Sequence, residues 1–136
     1  MSKLPDKLSE LIRVAIADLE KCEAMPEVYQ IDMDDWHFHD KGVCRVCLAG
    51  ATIAQSIKAD PHDSMAPFDV GIPPDDNKKL MALDSCRRSR WENASWQMGV
   101  GFALSKMPTV TPYDANPDQF KADLLQAADI LEVAGL

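Results

Sequence analysis

The chain has 136 residues, 46% hydrophobic and 26% charged, a composition that fits one folded domain and excludes wholesale disorder. Its 22 acidic residues outnumber its 14 basic ones, and the net charge of −8 disfavours general attraction to nucleic acid or to an anionic membrane. No apolar run reaches the ~18 residues that span a bilayer, and the polar start lacks an export signal. We therefore expect one cytoplasmic domain over residues 1–136. In that compartment its cysteines are expected to be thiols or metal ligands.

Two helices are predicted in the first half of the chain. Apolar residues at helical spacing predict the first over residues 8–22, which Pro26 prevents from continuing further. The second is predicted over residues 43–58 (VCRVCLAGATIAQSIK), where only Arg45 and Lys58 are charged. Because this segment is apolar on most sides, we expect an interior helix against which the others pack, with Gly50 allowing close approach.

Two more helices are predicted in the second half, over residues 75–96 and from Pro117 onward. For the last one, Asn116 is the expected N-cap, Gln119 completes a capping box, and Gly135 lies just past the end. The segment 28–39 (VYQIDMDDWHFH) is a short strand or an ordered loop, and a hairpin would require residues 107–112 as its partner. The predicted fold is therefore mainly α, a single-domain bundle of about four helices with two long loops and, as an open alternative, one short β-hairpin.

The densest group of chemically versatile residues is His37, His39, Cys44 and Cys47, with the spacing H-x-H-x4-C-x2-C. Imidazole and thiolate are the ligands that zinc prefers, and four of them make a closed tetrahedral site. These four residues are therefore the predicted metal ligands, with a structural zinc ion as the cofactor of this alternative. The competing interpretation, which we favour, is two small buried thiols on an apolar helix and two half-exposed imidazoles beside Trp36.

Two further chemistries use parts of the same segment. The C-x-x-C at a helix start would stabilise a thiolate, but a redox role also requires a preceding strand, which the prediction does not supply. Asp35, His37 and His39 would align on a strand and leave a metal position open, as a metal-dependent hydrolase needs. Nearby acidic residues and a third histidine could add ligands to that site: Asp32, Asp34, Asp60, His62 and Asp63. We favour a solvated acidic surface over this hydrolase.

One basic stretch stands out in the acidic chain, Arg87, Arg88 and Arg90 followed by Trp91. Such a stretch could bind phosphates while an indole ring stacks on a base, which makes nucleic-acid binding an alternative function. The competing interpretation is that Asp84 and other carboxylates of the same chain pair with these arginines. We favour internal pairing, because the rest of the chain is so acidic.

Residues 43–54 read VCRVCLAGATIA, with Trp36 and His37 before them and the run KLMALD at 79–84 after them. Over residues 36–84 the chain resembles a group of small proteins encoded by phages and prophages. The shared motif is a packing pattern, and the group has no settled biochemical activity, so the resemblance transfers no site residues. It implies a small soluble protein made in a bacterial host, with a binding or accessory role in preference to metabolism.

These observations favour an acidic accessory protein without catalytic activity that acts by protein–protein interaction. The expected contact surface is the two acidic loops, residues 23–40 and 60–76, and the expected partner is a host or phage protein with a basic surface. Self-association stays open as an alternative. We expect no cofactor unless the zinc alternative holds, and no membrane contact.

Overall fold

The computed structural model describes residues 3–33, 42–58, 72–99 and 107–136, and the backbone of residues 37–40. The described part is mainly helical, which confirms the predicted fold class. None of its helices combines the length and the apolar character that crossing a membrane would require. Its elements in chain order are α1 (Leu8–Glu23), β1 (Tyr29–Ile31), β2 (His37–Asp40), β3 (Val43–Val46), α2 (Leu48–Thr52) with a π-helical turn (Ile53–Ile57), α3 (Pro74–Arg87), α4 (Trp91–Gln97) and α5 (Pro117–Val133).

The first and last helices pack against each other and form one side of the core. Helix α1 has the predicted bounds within one residue, and its apolar stripe is buried. The Asn116 side chain caps α5 by accepting from the Gln119 N–H at 3.1 Å. The Gln119 side chain donates to Asp123 at 2.7 Å instead of returning to Asn116, so only half of the predicted capping box forms. Gly135 ends α5 with φ 79, as expected for a glycine past a helix end.

A three-stranded sheet of order β1-β3-β2 lies beside the helices, and it corrects two predictions. The helix predicted from residue 43 begins only at Leu48, because residues 43–46 form the central strand, in which burial alternates with a period of two. The expected partner of segment 28–39, residues 107–112, is also wrong, since β1 runs parallel to β3, with Tyr29 opposite Cys44, and β2 forms an antiparallel hairpin with β3. The expected interior position of this segment is confirmed, because Leu48 and Ile53 are fully buried.

The helix predicted over residues 75–96 is two helices, α3 and α4. The break lies at Ser89, which has the left-handed φ of 61. The Ser89 N–H donates to the Cys86 carbonyl and the Arg90 N–H to the Ser85 carbonyl, at 3.0 and 2.9 Å. This is the bonding pattern with which a glycine commonly ends a helix, here built on a serine. The chain turns there, and the corner between α3 and α4 positions Arg87, Arg88 and Arg90.

The π-helical turn after α2 attaches this interior segment to α1 by polar contacts. Ser56 donates to the Asp18 carboxylate at 2.5 Å, and the Gln55 amide donates to the Cys22 sulfur at 3.5 Å. Burial raises the pKa of Asp18, and the hydrogen bond from Ser56 opposes that shift in part. The core therefore includes a carboxyl group that a hydroxyl holds at 2.5 Å, while the Lys21 ammonium lies farther away, at 3.8 Å.

Candidate functional site

The backbone register brings part of the predicted metal-ligand group together. In the antiparallel β2–β3 pair, His39 stands opposite Cys44 and His37 opposite Val46, while Cys47 directly follows β3. The side chains of the two histidines lie outside what the structure describes. Within the described residues, no group of three or more His, Cys, Asp or Glu side chains is placed to hold a metal ion. The four-ligand zinc site therefore stays a prediction.

The two cysteines of the C-x-x-C are buried thiols with no lowered pKa. Burial raises the pKa of Cys44 and of Cys47 to about 11. The Cys47 sulfur accepts from the Gly50 N–H at 3.3 Å and so acts as the N-cap of α2. A redox cysteine needs a stabilised thiolate, and this environment favours the protonated form instead. All four cysteines of the chain are buried and free of disulfides.

The predicted hydrolase residues and acidic loops lie mostly outside the described residues, including Asp35 and the segment 60–71. Some of the carboxylates that are described in these loops have partners in the same chain. Asp32 lies 3.9 Å from Arg45, and Asp76, fully buried, accepts from the backbone N–H groups of Lys3 and Leu4 at 2.8 and 3.3 Å. The predicted contact surface is thus partly committed to internal contacts.

The basic stretch around the α3–α4 corner is engaged by an internal carboxylate. Asp84 accepts from Arg87 Nε at 2.8 Å and lies 3.4 Å from Arg88 Nε. Trp91 is only 6% exposed, and its indole N–H donates to the Pro108 carbonyl at 2.9 Å, so its ring is not presented for stacking on a base. Of the four predicted nucleic-acid residues, Arg88 and Arg90 are exposed. These contacts favour the internal-pairing interpretation of this stretch.

The same corner forms one wall of a cleft of about 330 Å³, which we call the arginine cleft. Sequence reasoning found Arg87 and Arg88 but not this cleft, because the other walls come from distant parts of the chain that carry no recognisable motif. Among the described residues, its lining consists of two cationic, five apolar or aromatic and one acidic side chain: Arg87, Arg88, Met33, Val110, Pro112, Tyr113, Phe120 and Asp114.

Hydrogen bonds hold the loop that closes the arginine cleft, residues 107–116. The Val110 N–H donates to Ser89 Oγ at 2.7 Å, and the Thr111 N–H donates to the Asp123 carboxylate at 2.9 Å. The second bond also lowers the pKa of Asp123. Together with the Trp91–Pro108 bond, these contacts fix the loop to α4 and α5. The arginine cleft is therefore preformed rather than created by the closure of a loop.

The aromatic part of the arginine cleft is fixed in the same way. Tyr113 and Phe120 make an edge-to-face contact with ring centroids 5.5 Å apart. The Tyr113 hydroxyl donates to Glu23 of α1, which also pairs with Lys121 of α5. Burial, followed by the neighbouring Glu23 carboxylate, raises the pKa of Tyr113, so the phenol is neutral at pH 7. Its ring is thus an oriented, uncharged surface of the cleft.

Comparison with family models, with curated proteins and with solved structures finds no match for this chain.

Proposed function

We propose that this protein is a small acidic accessory protein that binds another protein and has no catalytic activity of its own. The supporting observation is the outward face of α5. Its one basic residue, Lys121, is 16% exposed and is directed towards Glu20 and Glu23 of α1. The exposed side chains of α5 include three acidic and two larger apolar ones, a mixture suited to a partner with a basic surface: Asp118, Asp129, Glu132, Leu125 and Val133.

The charge on this face is only partly compensated from within the chain. Arg13 of α1 donates to Asp129 at 2.8 Å and to Glu132 at 3.0 Å, which leaves this group of three with one net negative charge. Asp118 and the neighbouring Asp114 add two more exposed carboxylates near the start of the helix. Such a field steers a basic partner towards the face and weakens with salt over a Debye length of about 10 Å at 0.1 M.

The resemblance to phage and prophage proteins supplies the context of the proposal. The partner is then a host or phage protein in the bacterial cytoplasm. Exposed acidic residues that the structure describes in the predicted contact loops, Glu27 and Asp75, extend the acidic surface. We do not propose nucleic acid as the partner, because Asp84 holds Arg87 and Arg88.

The test is affinity capture from bacterial lysate at low salt with three baits: the unchanged chain, Asp118→Lys/Gln126→Lys on α5, and Glu92→Lys/Asn93→Lys on α4. Both double variants change exposed residues and alter the net charge equally, and each removes an acidic residue from the first turn of its helix. We expect the unchanged chain and the α4 variant to recover the same basic protein and the α5 variant to lose it. The proposal would be refuted if no specific protein were recovered above background, or if both variants recovered the same protein equally well. If the chain captured only further copies of itself, self-association would replace the partner protein.

A structural zinc ion is the second candidate, and the β2–β3 register favours it by pairing His39 with Cys44. His37, His39, Cys44 and Cys47 would hold the ion, which would clamp the sheet to the start of α2. Elemental analysis of protein purified without added metal should then find one equivalent of zinc, which Cys47→Ser loses together with stability. Protein without metal, whose thermal unfolding is unchanged by a chelator, would exclude this candidate. The zinc-stabilised protein would be identified as a nucleic-acid-binding module if it bound DNA in a salt-sensitive way and lost that binding when Arg87, Arg88 and Arg90 were neutralised.

A further inference from the structure

We infer that the arginine cleft is a binding site for a monoanionic carboxylate attached to an apolar or aromatic group. This inference concerns a different surface from the outward face of α5 and does not depend on the protein-binding proposal. A volume of about 330 Å³ lies at the lower end of the range found for sites of small organic ligands, about 300–1,000 Å³.

The cationic part of the cleft is oriented for a planar anion. Asp84 engages both arginines through Nε, and their Nη atoms have no hydrogen-bond partner among the residues that the structure describes. The side chain of Arg87 is 10% exposed and that of Arg88 is 43% exposed, so one guanidinium is largely buried and the other borders solvent. Guanidinium N–H groups arranged in this way match the two oxygens of a carboxylate.

The charge and shape of the site select the class of anion. Arg87, Arg88 and Asp84 together carry one net positive charge, and the Asp114 carboxylate of the same lining brings the net charge of the site to zero, so a ligand with one negative charge is favoured over a ligand with two. A phosphate dianion would bring excess charge towards Asp84 and towards Asp114, which also lines the cleft. The remaining lining is apolar and aromatic, with Tyr113 and Phe120 fixed edge to face. An apolar group next to the carboxylate would therefore be buried mainly against Tyr113, Pro112 and Met33, because Phe120 itself is only 1% exposed and holds the Tyr113 ring from behind.

This chemistry has two sources, a free organic acid and the C-terminal carboxylate of a protein whose last residue is apolar. The first probe is N-acetyl-L-phenylalanine, titrated into the full chain labelled with ¹⁵N and followed by amide chemical shifts. We expect saturable shifts centred on Val110, Tyr113 and Phe120, with a Kd on the order of 1 mM. N-acetyl-L-phenylalaninamide, which lacks the carboxylate, should bind at least about tenfold more weakly.

Arg88→Gln removes the exposed guanidinium of the cleft, and Arg90→Gln is the matched control, because Arg90 is an exposed neighbour outside the cleft lining. We expect about tenfold weaker binding of the acid for the first variant and unchanged binding for the second. The inference would be overturned if the titration gave no saturable shifts, or if the shifts were centred elsewhere in the chain. It would also be overturned if the acid and the amide bound equally well, or if the two variants had equal effects on binding. A short peptide ending in phenylalanine distinguishes the sources, since tighter binding than the free acid identifies a protein terminus and weaker or equal binding identifies a small acid.

Discussion

Ser89 sets the angle between α3 and α4 and also holds the loop of the arginine cleft, so its replacement tests both functions at once. A left-handed conformation costs a residue with a Cβ atom about 1 kcal/mol relative to glycine. Loss of the Oγ acceptor leaves the Val110 N–H without its partner at 2.7 Å, at a cost of about 1–2 kcal/mol. Ser89→Ala loses the bond and keeps the strain, so its free energy of unfolding should fall by about 1–2 kcal/mol. Ser89→Gly loses the bond but relieves the strain and should cost only about 0–1 kcal/mol.

The assay is urea unfolding followed by circular dichroism. For a loss of about 1–2 kcal/mol and a slope of about 1–3 kcal/mol/M, the alanine variant should unfold at a urea concentration lower by roughly 0.3–2 M, and the midpoint of the glycine variant should lie between that of the alanine variant and that of the unchanged chain. Thr109→Ala, an exposed change in the same loop, is the control and should shift the free energy by less than about 0.5 kcal/mol. If alanine is tolerated without loss, or if glycine costs as much as alanine, the assigned role of Ser89 is wrong.

Three further predictions follow from buried polar groups. Asp76→Ala should lower the free energy of unfolding by about 3–5 kcal/mol in the same assay, because Lys3 and Leu4 lose their acceptor and buried Lys79 loses a carboxylate 3.8 Å away; Asp76→Asn keeps an acceptor and should cost less. Asp18 has a raised pKa, so the folded state binds its proton more readily and loses stability as the pH rises from below the unfolded pKa through the folded one. Asp18→Asn should therefore remove this loss, so that from pH 4 to pH 7 the free energy of unfolding of the variant changes more favourably than that of the unchanged chain. An unchanged pH dependence of urea unfolding would contradict this. The four buried thiols should react with Ellman's reagent only on unfolding, and rapid labelling of a native thiol would refute their burial.

The sequence predicts α1 and α5 well because the signals for both helices are local. Each carries its apolar residues at helical spacing, and α5 also has a cap at Asn116 and a glycine at 135 that ends it. Such signals need no knowledge of the rest of the chain. The same pattern explains why the mainly α fold class was accessible from the sequence.

The errors occur where tertiary contacts or a special backbone conformation decide. Residues 43–46 are apolar except for Arg45 and precede an apolar helix, so the periodicity did not distinguish strand from helix. The neighbouring strands β1 and β2 decided the outcome. The break at Ser89 has no glycine or proline to announce it, and its left-handed conformation depends partly on a bond to Val110. The candidate site shows the same division, since Arg87 and Arg88 stand out in the sequence, whereas the walls opposite them are assembled by long-range packing.

The pairing of the first helix with the last has a consequence for biosynthesis. The apolar stripe of α1 leaves the ribosome some hundred residues before α5, one of the helices that pack on it. The sheet, in contrast, is contained within residues 29–46 and needs no distant segment. During translation the nascent chain can thus complete its strands and pack α2 on α1 while the part of α1 that α5 covers is still exposed, and that interval is when chaperone binding and aggregation compete most strongly with folding.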